Sequence, residues 1–446
     1  MTIKFLKNLQ IYVFYLLVFL LPSNISKHWP QNWSLVNGIL VDYLIPTLFL
    51  TDILILVLLL FWLIENLKSK GLKNIIFKNS RLFILSSALF IFLFFSSFYT
   101  VNYQAALYKS LKLLVFFAFA LWVYKKSPSF IFQKASKFKQ IMALSIIWQS
   151  ILTICQWFKQ GSVFGYWFFG EQPYNNASLG IKIISFFGQL KIPSMGTFTH
   201  PNVLAGFLVI YLLFVFIKTS SRRSLLEIIS VGLGSIALIL TFSFPAIFIY
   251  VCFLLFFIFK KLSSKVFKLL LIVFLLILIF LGDKLIDPAS LTRRLKLTSI
   301  SMSMWQTSPL FGVGLNNFIP NMEKFGIVSL NSRFLQPVHN IYLLTLAETG
   351  IVGIIIFTFF IISNLKRLVK LKAQKAKILL PILLSVLFLG VFDHYFLTIQ
   401  QGMLLFVLVL GLTSSATAAA TATAATAGKT SGRANTRSSI RRRKSS

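Results

Sequence analysis

The sequence predicts an all-α integral membrane protein with about twelve transmembrane helices and a large extracytoplasmic loop between spans nine and ten. Of its 446 residues, 57% are hydrophobic and only 12% are charged, and the mean hydropathy is +0.83. A soluble fold could not bury so much apolar surface. Apolar runs of about 18 residues or more recur along the chain, and such runs are typical of membrane spans.

The spans are predicted from apolar runs separated by polar or basic segments. The first run is expected to be a retained span, because no small-residue cleavage site follows it. The twelve runs are roughly 9–22, 44–65, 81–98, 106–124, 139–158, 201–217, 224–242, 245–260, 266–282, 339–363, 378–393 and 397–413. Together they predict a polytopic membrane domain over residues 1–413, in which residues 283–338 form the large loop.

Composition changes near the C-terminus of the chain. Residues 414–446 are rich first in Ala and Thr, and then in Ser and Arg. This stretch has too little apolar content to pack against a core, so it is predicted to be a disordered basic tail.

The basic residues indicate the orientation of the spans. The formal net charge is +34, but most of the 44 Lys and Arg residues lie in short clusters between apolar runs, which argues against nucleic acid as a partner. The clusters precede the first span, follow each even-numbered span up to the tenth, and occur again after the twelfth. Because cytoplasmic loops carry an excess of Lys and Arg, both termini are predicted to be cytoplasmic.

With this topology, the candidate reactive side chains gather on the outer side of the membrane. They are the four histidines, His28, His200, His339 and His394, and three arginines of the large loop, Arg293, Arg294 and Arg333. Histidine titrates near neutral pH and can accept a proton from a hydroxyl. Arginine presents a planar fork that suits diphosphate oxygens. No cluster of Cys, His or acidic residues predicts a metal site, so neither a metal nor another cofactor is expected.

The predicted compartment restricts the chemistry. The outer side of a cytoplasmic membrane lacks ATP and nucleotide sugars, so a transfer reaction there needs a donor that is already activated and carried by a lipid. A histidine, a basic outer loop and a lipid-facing domain therefore favour sugar transfer from a polyprenyl diphosphate.

Four sequence blocks carry a resemblance to a known family. They are GTFTHPNVLAGFL at 196–208, PLFGVGLNNF at 309–318, PVHNIYLLTLAETGIVG at 337–353 and FDHYFLTIQQG at 392–402. In this order they resemble the bacterial O-antigen ligase/polymerase family. The resemblance implies a multi-span glycosyltransferase of the bacterial inner membrane. Such an enzyme moves an oligosaccharide from a polyprenyl diphosphate to a glycan, lipid or protein acceptor on the outer side, without a metal.

The resemblance also implies roles for individual residues. His339 matches the histidine proposed as a catalytic base or acceptor-orienting group, and Arg294 matches a loop arginine that would bind the diphosphate. The further candidates for substrate binding are Arg293, Arg333, Lys191, His200, Asn340, Gly312, Gly314, Glu348, His394 and Lys112.

Plainer structural roles stay open for several of these candidates. The plainer role of Gly312 and Gly314 is to form turns, and that of His200 is to begin a helix. The plainer role of Glu348 is to form a hydrogen bond inside the helix bundle. Asp393 and His394 are expected either to line the mouth of the site or, in the plainer role, to cap at the lipid interface. The plainer role of Lys112 and its neighbour Lys109 is snorkelling.

Two positions depart from the family pattern. Family members often carry an arginine just before the GTF block, where this chain reads Ile192 to Met195 and the nearest cation is Lys191. Many carry Ser-Arg at the start of the eighth span, where this chain has Ser243-Phe244. Lys191, Arg293 and Arg333 are candidates to supply the positive charge of the two missing arginines.

Two alternative functions stay open. One is a transporter or flippase of lipid-linked glycan, and the other is a non-catalytic envelope assembly protein.

Overall fold

The structure is a computed structural model that describes residues 2–69, 81–130, 135–178, 180–216, 223–258, 288–326, 334–370 and 374–415. It is mostly helical, at 72% helix, with little sheet. The first eight helices are α1 Ile3–Leu20, α2 Leu50–Lys68, α3 Arg81–Ser96, α4 Tyr103–Phe130, α5 Ala135–Lys159, α6 Pro201–Phe216, α7 Leu225–Ile239 and α8 Phe244–Ile258. The later helices are α9 Pro288–Thr307, α10 Phe318–Phe325, α11 Ile341–Lys370, α12 Gln374–Phe392, the single turn α13 Tyr395–Thr398, and α14 Gln400–Ser415.

The described strands are short and form antiparallel pairs. β1 Ser26–His28 pairs with β4 Thr47–Phe49, and β2 Leu35–Val36 pairs with β3 Ile39–Leu40. β5 Ile184–Phe186 pairs with β6 Gln189–Lys191. The first two pairs belong to the connection between α1 and α2, and the third belongs to the connection between α5 and α6.

Each predicted span outside residues 266–282 coincides with a helix, and residues 266–282 lie outside the described part of the chain. By length and composition, five of the described helices could cross a membrane: α1, α2, α4, α5 and α11. The number of crossings and the cytoplasmic position of both termini stay predictions. The predicted basic tail is described only to Ser415, where α14 ends.

The large predicted loop contains two helices, α9 and α10, in its described part. α9 packs against α11, and so does α10. The segment between α9 and α10 contains the PLFGVGLNNF block. Arg333 lies outside the described residues, so its predicted role stays a prediction.

Helix α6 lies at the centre of the bundle. All of its residues from Val203 to Phe216 are buried, and it packs against α5, α7, α8 and α12. A helix that is apolar on every side is typical of a protein core or a membrane span, and here neighbouring helices cover it. This burial fixes the N-terminus of α6, where His200 and Asn202 lie, relative to the end of α12.

Three ion pairs join helices in the described residues. Lys112 pairs with Asp52 at 3.2 Å, Lys126 pairs with Glu65 at 2.6 Å, and Lys139 pairs with Glu227 at 3.2 Å. Each joins two different helices. Because a charge buried alone is costly, these pairs explain how the bundle accommodates cations between apolar helices.

Candidate functional site

Three of the four histidines converge where α6 and α11 begin and α12 ends. His200 directly precedes α6, His339 lies two residues before α11, and His394 follows α12. The rings of His339 and His394 have their centroids 5.1 Å apart and meet edge to face. The fourth, His28, lies on β1 and contacts the hydroxyl of Thr47 at 2.9 Å. Segments far apart in the sequence therefore bring together three of the polar groups predicted for the outer side.

Asp393 links the start of α6 to the end of α12. Its Oδ2 accepts a hydrogen bond from Nδ2 of Asn202 at 2.9 Å, and its Oδ1 accepts one from the backbone N–H of His394 at 2.8 Å. Burial opposes ionisation of this carboxyl, but the surrounding histidines and Arg294 hold its pKa below the ordinary value. Asp393 is therefore a buried carboxylate at neutral pH. From the sequence, Asp393 was expected only to line the mouth of the site or to cap at the lipid interface together with His394.

Two groups of His394 contact the hydroxyl of Thr398. Thr398 Oγ1 lies 3.1 Å from the carbonyl oxygen of His394 and 2.7 Å from its Nδ1. These contacts hold the His394 ring in place beside α13. Burial lowers the pKa of His394 to about 4, with Asp393 opposing and Arg294 reinforcing the shift. His394 is therefore neutral at pH 7.

His339 has an unused nitrogen. Its Nδ1 is buried and has no hydrogen-bond partner among the described residues. Burial lowers the pKa of His339 to about 3, Asp393 opposes this shift, and His394 and Arg294 reinforce it. The ring is therefore neutral at pH 7 and offers one nitrogen as a proton acceptor. A buried polar atom without a partner is costly, and such atoms in native sites call for an explanation such as a substrate contact.

Arg294 lies beside the same cluster. Its Nη1 donates to the carbonyl of Phe392, the last residue of α12, at 2.8 Å. Its charge acts on His339, Asp393 and His394. A guanidinium carries five N–H donors, so one contact to a helix end leaves donors for an anion. The neighbouring Arg293 instead lies over the ring of Phe334, at 5.4 Å from its centroid.

Lys182 is a second cation at the cluster, and the sequence analysis missed it. It lies two residues before β5, and its ammonium donates to the carbonyl of Phe242 at 3.0 Å. Burial lowers the pKa of Lys182 to about 8; the charge of Arg294 lowers it further and that of Asp393 raises it. Phe242 is two residues before Phe244, where the family resemblance leads us to expect an arginine. Lys182 therefore supplies a positive charge beside that position.

Lys191 was predicted to supply a replacement charge, and the structure places it on β6, opposite Ile184. The ionisable groups that act on the three clustered histidines include Lys182 and Arg294, and Lys191 is not among them. No sequence signal distinguishes the two lysines, because only the fold of the hairpin shows which one faces the histidines.

His200 and Asn340 both contact the first turn of a helix. Nδ1 of His200 accepts from the backbone N–H of Asn202 at 3.1 Å, as expected for a helix start. Burial lowers the pKa of His200 to about 4, so this ring is neutral as well. Oδ1 of Asn340 accepts from the N–H groups of Tyr342 and Leu343 at the start of α11. Nδ2 of Asn340 donates to the carbonyl of Val391, which ties α11 to α12. Both residues therefore position the cluster.

The PLFGVGLNNF block docks into an interruption of α11. At Gly350 the backbone leaves the helical conformation, with φ 62° and ψ −164°. There the N–H groups of Ile351 and Val352 donate to the carbonyls of Pro309 and Leu310, at 2.8 and 3.2 Å. In return, Gly314 N–H donates to the carbonyl of Glu348 at 2.9 Å. The loop therefore satisfies the backbone groups that the interruption exposes.

Gly312 and Gly314 lie where the loop packs closely against its neighbours. They have φ values of +72° and +102°, and a Cβ at Gly312 would overlap the backbone of Glu348 and Thr349. A Cβ at Gly314 would overlap the side chain of Thr100. These glycines therefore permit the close approach of the loop to α11.

Glu348 holds the same loop from the other side. Its carboxylate accepts hydrogen bonds from the backbone N–H groups of residues 316 to 318, and the bond from Phe318 measures 3.2 Å. This agrees with the predicted hydrogen bond inside the bundle. Because these N–H groups lie at the start of α10, Glu348 also stabilises the N-terminus of that helix.

The ammonium of Lys112 is bound by an acidic side chain, a backbone carbonyl and an aromatic ring of the protein. Its ammonium pairs with Asp52, donates to the carbonyl of Thr47 at 3.2 Å, and lies 4.6 Å from the centroid of the Phe49 ring. Only 9% of its side chain is exposed. These contacts give Lys112 a structural role in joining α4 to α2, which differs from the snorkelling expected as its plain role.

One group of side chains could hold a metal. His339, Asp393 and His394 each offer a ligand atom, and these atoms lie within 4.8 Å of one another. Both oxygens of Asp393 already accept hydrogen bonds, as described above. The prediction that no metal takes part is therefore one for experiment, and the hydrogen-bonded arrangement also fits proton transfer.

The comparison with known families matches the part of the chain that carries this site. Residues 207–358 match the family described as O-antigen ligase. This segment is similar to O-antigen ligases. It includes Arg294, the PLFGVGLNNF block, His339 and the interruption at Gly350. His200 and Asp393 lie outside the matched segment but are brought to it by the fold.

This similarity and the apolar helices support a membrane protein with a role in glycosyl transfer during assembly of envelope glycan. Members of the O-antigen ligase family use lipid-linked glycan donors and glycan acceptors. No curated protein matches the chain significantly.

Proposed function

We propose that the protein transfers a glycan from a polyprenyl diphosphate to an acceptor on the outer side of the bacterial cytoplasmic membrane, as an O-antigen ligase or polymerase does. His339 acts as the base, and Arg294 binds the diphosphate. The observation that carries this proposal is the buried, unpartnered Nδ1 of His339 beside the Asp393 carboxylate, with Arg294 acting on the same cluster.

The positions of His339, Asp393 and Arg294 support the following reaction. An acceptor hydroxyl donates a hydrogen bond to Nδ1 of His339, and its oxygen attacks the anomeric carbon of the donor. The bond between that carbon and the diphosphate oxygen breaks, and the hydroxyl proton moves to His339. The negative charge that develops on the leaving diphosphate is stabilised by Arg294 and Lys182. The carboxylate of Asp393 stabilises the imidazolium that forms.

The low pKa of His339 in the absence of substrate is compatible with this role. The neutral ring is ready to accept a proton across the physiological pH range. A bound diphosphate brings negative charge to the cluster, which favours the protonated ring and raises its pKa in the donor complex. The bound donor therefore strengthens the base that accepts the proton of the acceptor hydroxyl.

The test is transfer in a producing cell with His339→Ala and Arg294→Ala made separately. We expect each variant to be present at the wild-type level in the membrane and to lose glycan transfer, read from the surface glycans. Asn176→Ala, an exposed residue in the connection between α5 and α6, serves as a matched control. Survival of transfer in both variants would overturn the mechanism.

A lipid-linked glycan transporter or flippase is the first alternative. Transporters often contain interrupted helices whose gaps line the transport path. Here the gap at Gly350 pairs with the backbone of residues 309–314, so it is closed by the protein itself. Purified protein in vesicles with a defined lipid-linked donor separates the two functions, because movement across the bilayer without bond transfer would favour transport. In the second alternative, a non-catalytic assembly protein, deletion would abolish assembly and leave the chemistry intact.

A further inference from the structure

The β5–β6 hairpin, in the connection between α5 and α6, exposes large apolar side chains. Phe187 at its tip is 92% exposed, and Leu190 on β6 is 77% exposed. On the opposite face, the ring of Phe186 packs against the rings of Trp157 and Phe242, with centroids 5.6 Å apart in both pairs. Because side chains alternate along a strand, one face of the hairpin is covered by the protein and the other faces the surroundings.

The turn at the tip of this hairpin is unfavourable for phenylalanine. Phe186 pairs with Gln189, so Phe187 and Gly188 form a two-residue turn. The φ values of these turn residues are +48° and +79°. Both lie in the left-handed region, where Asn, Asp and Gly are preferred. The ring at the tip gains almost no burial from the protein to offset this strain, and strain at an exposed position points to a use for the side chain.

The β2–β3 hairpin offers a comparison within the same chain. Val36 pairs with Ile39 across its turn. The turn residues, Asn37 and Gly38, have φ values of +48° and +80°. The same φ values are thus adopted at both tips, but the β2–β3 turn has the asparagine that this conformation favours. The backbone therefore does not explain the phenylalanine at position 187.

The β5–β6 hairpin lies at the end of an apolar stripe on α5. The stripe consists of exposed residues at spacings of seven, four and three, which share one side of a helix: Leu144, Ile151, Cys155 and Phe158. Since α5 is long and apolar enough to cross a membrane, this is the side that would face lipid. Phe158 directly follows Trp157, against which the hairpin packs. The hairpin is therefore at the level where the lipid-facing stripe ends.

Two more exposed rings belong to the same connection. Phe164 and Trp167 are exposed, and their ring centroids lie 5.7 Å apart. The buried carboxylate of Glu171 accepts hydrogen bonds from the backbone N–H groups of residues 163 to 165, at 2.7, 2.7 and 2.8 Å. These bonds fix the turn that carries the rings, so their exposure is built into the fold. Tryptophan and tyrosine are enriched where a membrane meets water.

The charges of this connection also suit a lipid surface. In residues 160–200 the only acidic residue is Glu171, and it is buried. The exposed surface of this segment therefore lacks a carboxylate that lipid phosphates would repel. Lys159 at the end of α5 and Lys191 on β6 flank the hairpin. Lysine can place its stem along apolar surface while its ammonium stays among the head groups, and it is attracted to anionic lipid.

We propose that the β5–β6 hairpin inserts its tip into the membrane interface on the side of the histidine cluster. Phe187 and Leu190 lie among the lipid chains near the head groups, and Lys159 and Lys191 lie at the level of the phosphates. The partner is the lipid surface itself, and the inference does not depend on the transfer reaction. Lys182 lies two residues before β5, so the anchored hairpin also holds this lysine at a fixed depth.

The position of the hairpin is measured with a fluorescent label in the full chain, reconstituted in vesicles of phosphatidylethanolamine and phosphatidylglycerol. The label is attached at Ser185→Cys, which pairs with Leu190 on the exposed face, in a background of Cys155→Ser and Cys252→Ser. A lipid with a nitroxide near its head group should quench this label, and iodide in the water should not. The same label at Asn176→Cys, in a polar turn of the connection, is the matched control and should respond to iodide and not to the nitroxide lipid.

Phe187→Asn separates insertion from folding. Because asparagine favours this turn, the hairpin should still form, and the melting temperature in detergent should be unchanged or higher. The ratio of inserted to withdrawn hairpin, read from the label at position 185, should fall by about tenfold or more, because burial of a large apolar side chain is lost. Phe187→Trp should retain the insertion, since tryptophan favours the interface.

Several results would overturn the inference. Quenching of the label at position 185 by iodide, and not by the nitroxide lipid, would place the hairpin in water. Protection from both quenchers would place it in a protein contact, such as one with a second copy of the chain. Equal quenching in the wild type and Phe187→Asn, or a lower melting temperature in the variant, would show that the ring has no role in insertion or is needed for packing. None of these measurements requires glycan transfer, so the inference and the proposed function can fail separately.

Discussion

Asn202 donates a hydrogen bond from Nδ2 to Oδ2 of Asp393 at 2.9 Å, and this bond joins the start of α6 to the end of α12. The two residues are 191 positions apart in the sequence. The bond leaves the buried carboxylate with a fixed orientation beside His339 and His394. The position of the proposed base therefore depends on the packing of the central helix.

This relationship predicts the effect of Asp393→Asn. The amide keeps an oxygen for Asn202 but loses the negative charge that stabilises an imidazolium. We expect kcat to fall by about a hundredfold or more with little change in the KM of the donor. Steady-state kinetics on purified protein provide the measurement, and an unchanged melting temperature serves as the control. An unchanged kcat would show that Asp393 has only a structural role.

Lys182 predicts a loss of activity at alkaline pH. Its pKa is lowered to about 8, so the ammonium is charged below this pH and neutral above it. If this charge binds the diphosphate, kcat/KM for the donor should fall as the pH rises through 8, because that ratio reports ionisation of the free enzyme. Lys182→Arg should keep its charge and move the decline to higher pH. A profile that is the same in both proteins would contradict the role of Lys182.

Gly350→Ala should destabilise the fold. A Cβ at this position would overlap the backbone of Leu310, and the φ of +62° is unfavourable for residues with a Cβ. We expect a loss of at least about 2 kcal/mol in the free energy of unfolding. Thermal unfolding in detergent measures it as a lower melting temperature. Gly232→Ala is the matched control, because a Cβ there meets no atom within 4 Å and alanine favours the helix.

Lys112→Met should affect stability and spare donor binding. Removing one partner of a buried ion pair leaves Asp52 without its cation, at a cost of about 3–5 kcal/mol. The double variant Lys112→Met with Asp52→Leu should recover much of the lost stability. Thermal unfolding measures both effects. A higher donor KM in Lys112→Met at normal stability would instead support the substrate contact predicted from the sequence.

Chelation tests the metal-independent mechanism. We expect transfer by the purified protein to be unchanged after treatment with EDTA, because His339 and the two cations perform the proposed chemistry. Loss of transfer that returns on addition of a divalent ion would instead assign a metal to His339, Asp393 and His394. A ligand substitution such as His394→Ala should then weaken binding of that ion.

The sequence predicted the helical class and the helices themselves because each depends on a local property, the length of an apolar run. The alternation of basic clusters also predicts that His200, His339 and His394 share one side of the membrane. That side stays a prediction, but the fold brings the three residues together. The sequence placed Asp393 at the mouth of the site without a chemical role, and it did not identify Lys182. Their importance comes from contacts with Asn202 and Phe242, which are distant in the sequence. The roles of Gly312, Gly314 and Glu348 also depend on a long-range contact, in which the loop at 309–318 fills the interruption in α11.

The course of α14 has a practical consequence. This helix begins at Gln400, seven residues after Asp393, and runs to Ser415, where the description of the chain ends. Its sixteen residues carry the chain about 24 Å away from the histidine cluster. A reporter group attached at Ser415 is therefore separated from the reaction centre by the length of a helix.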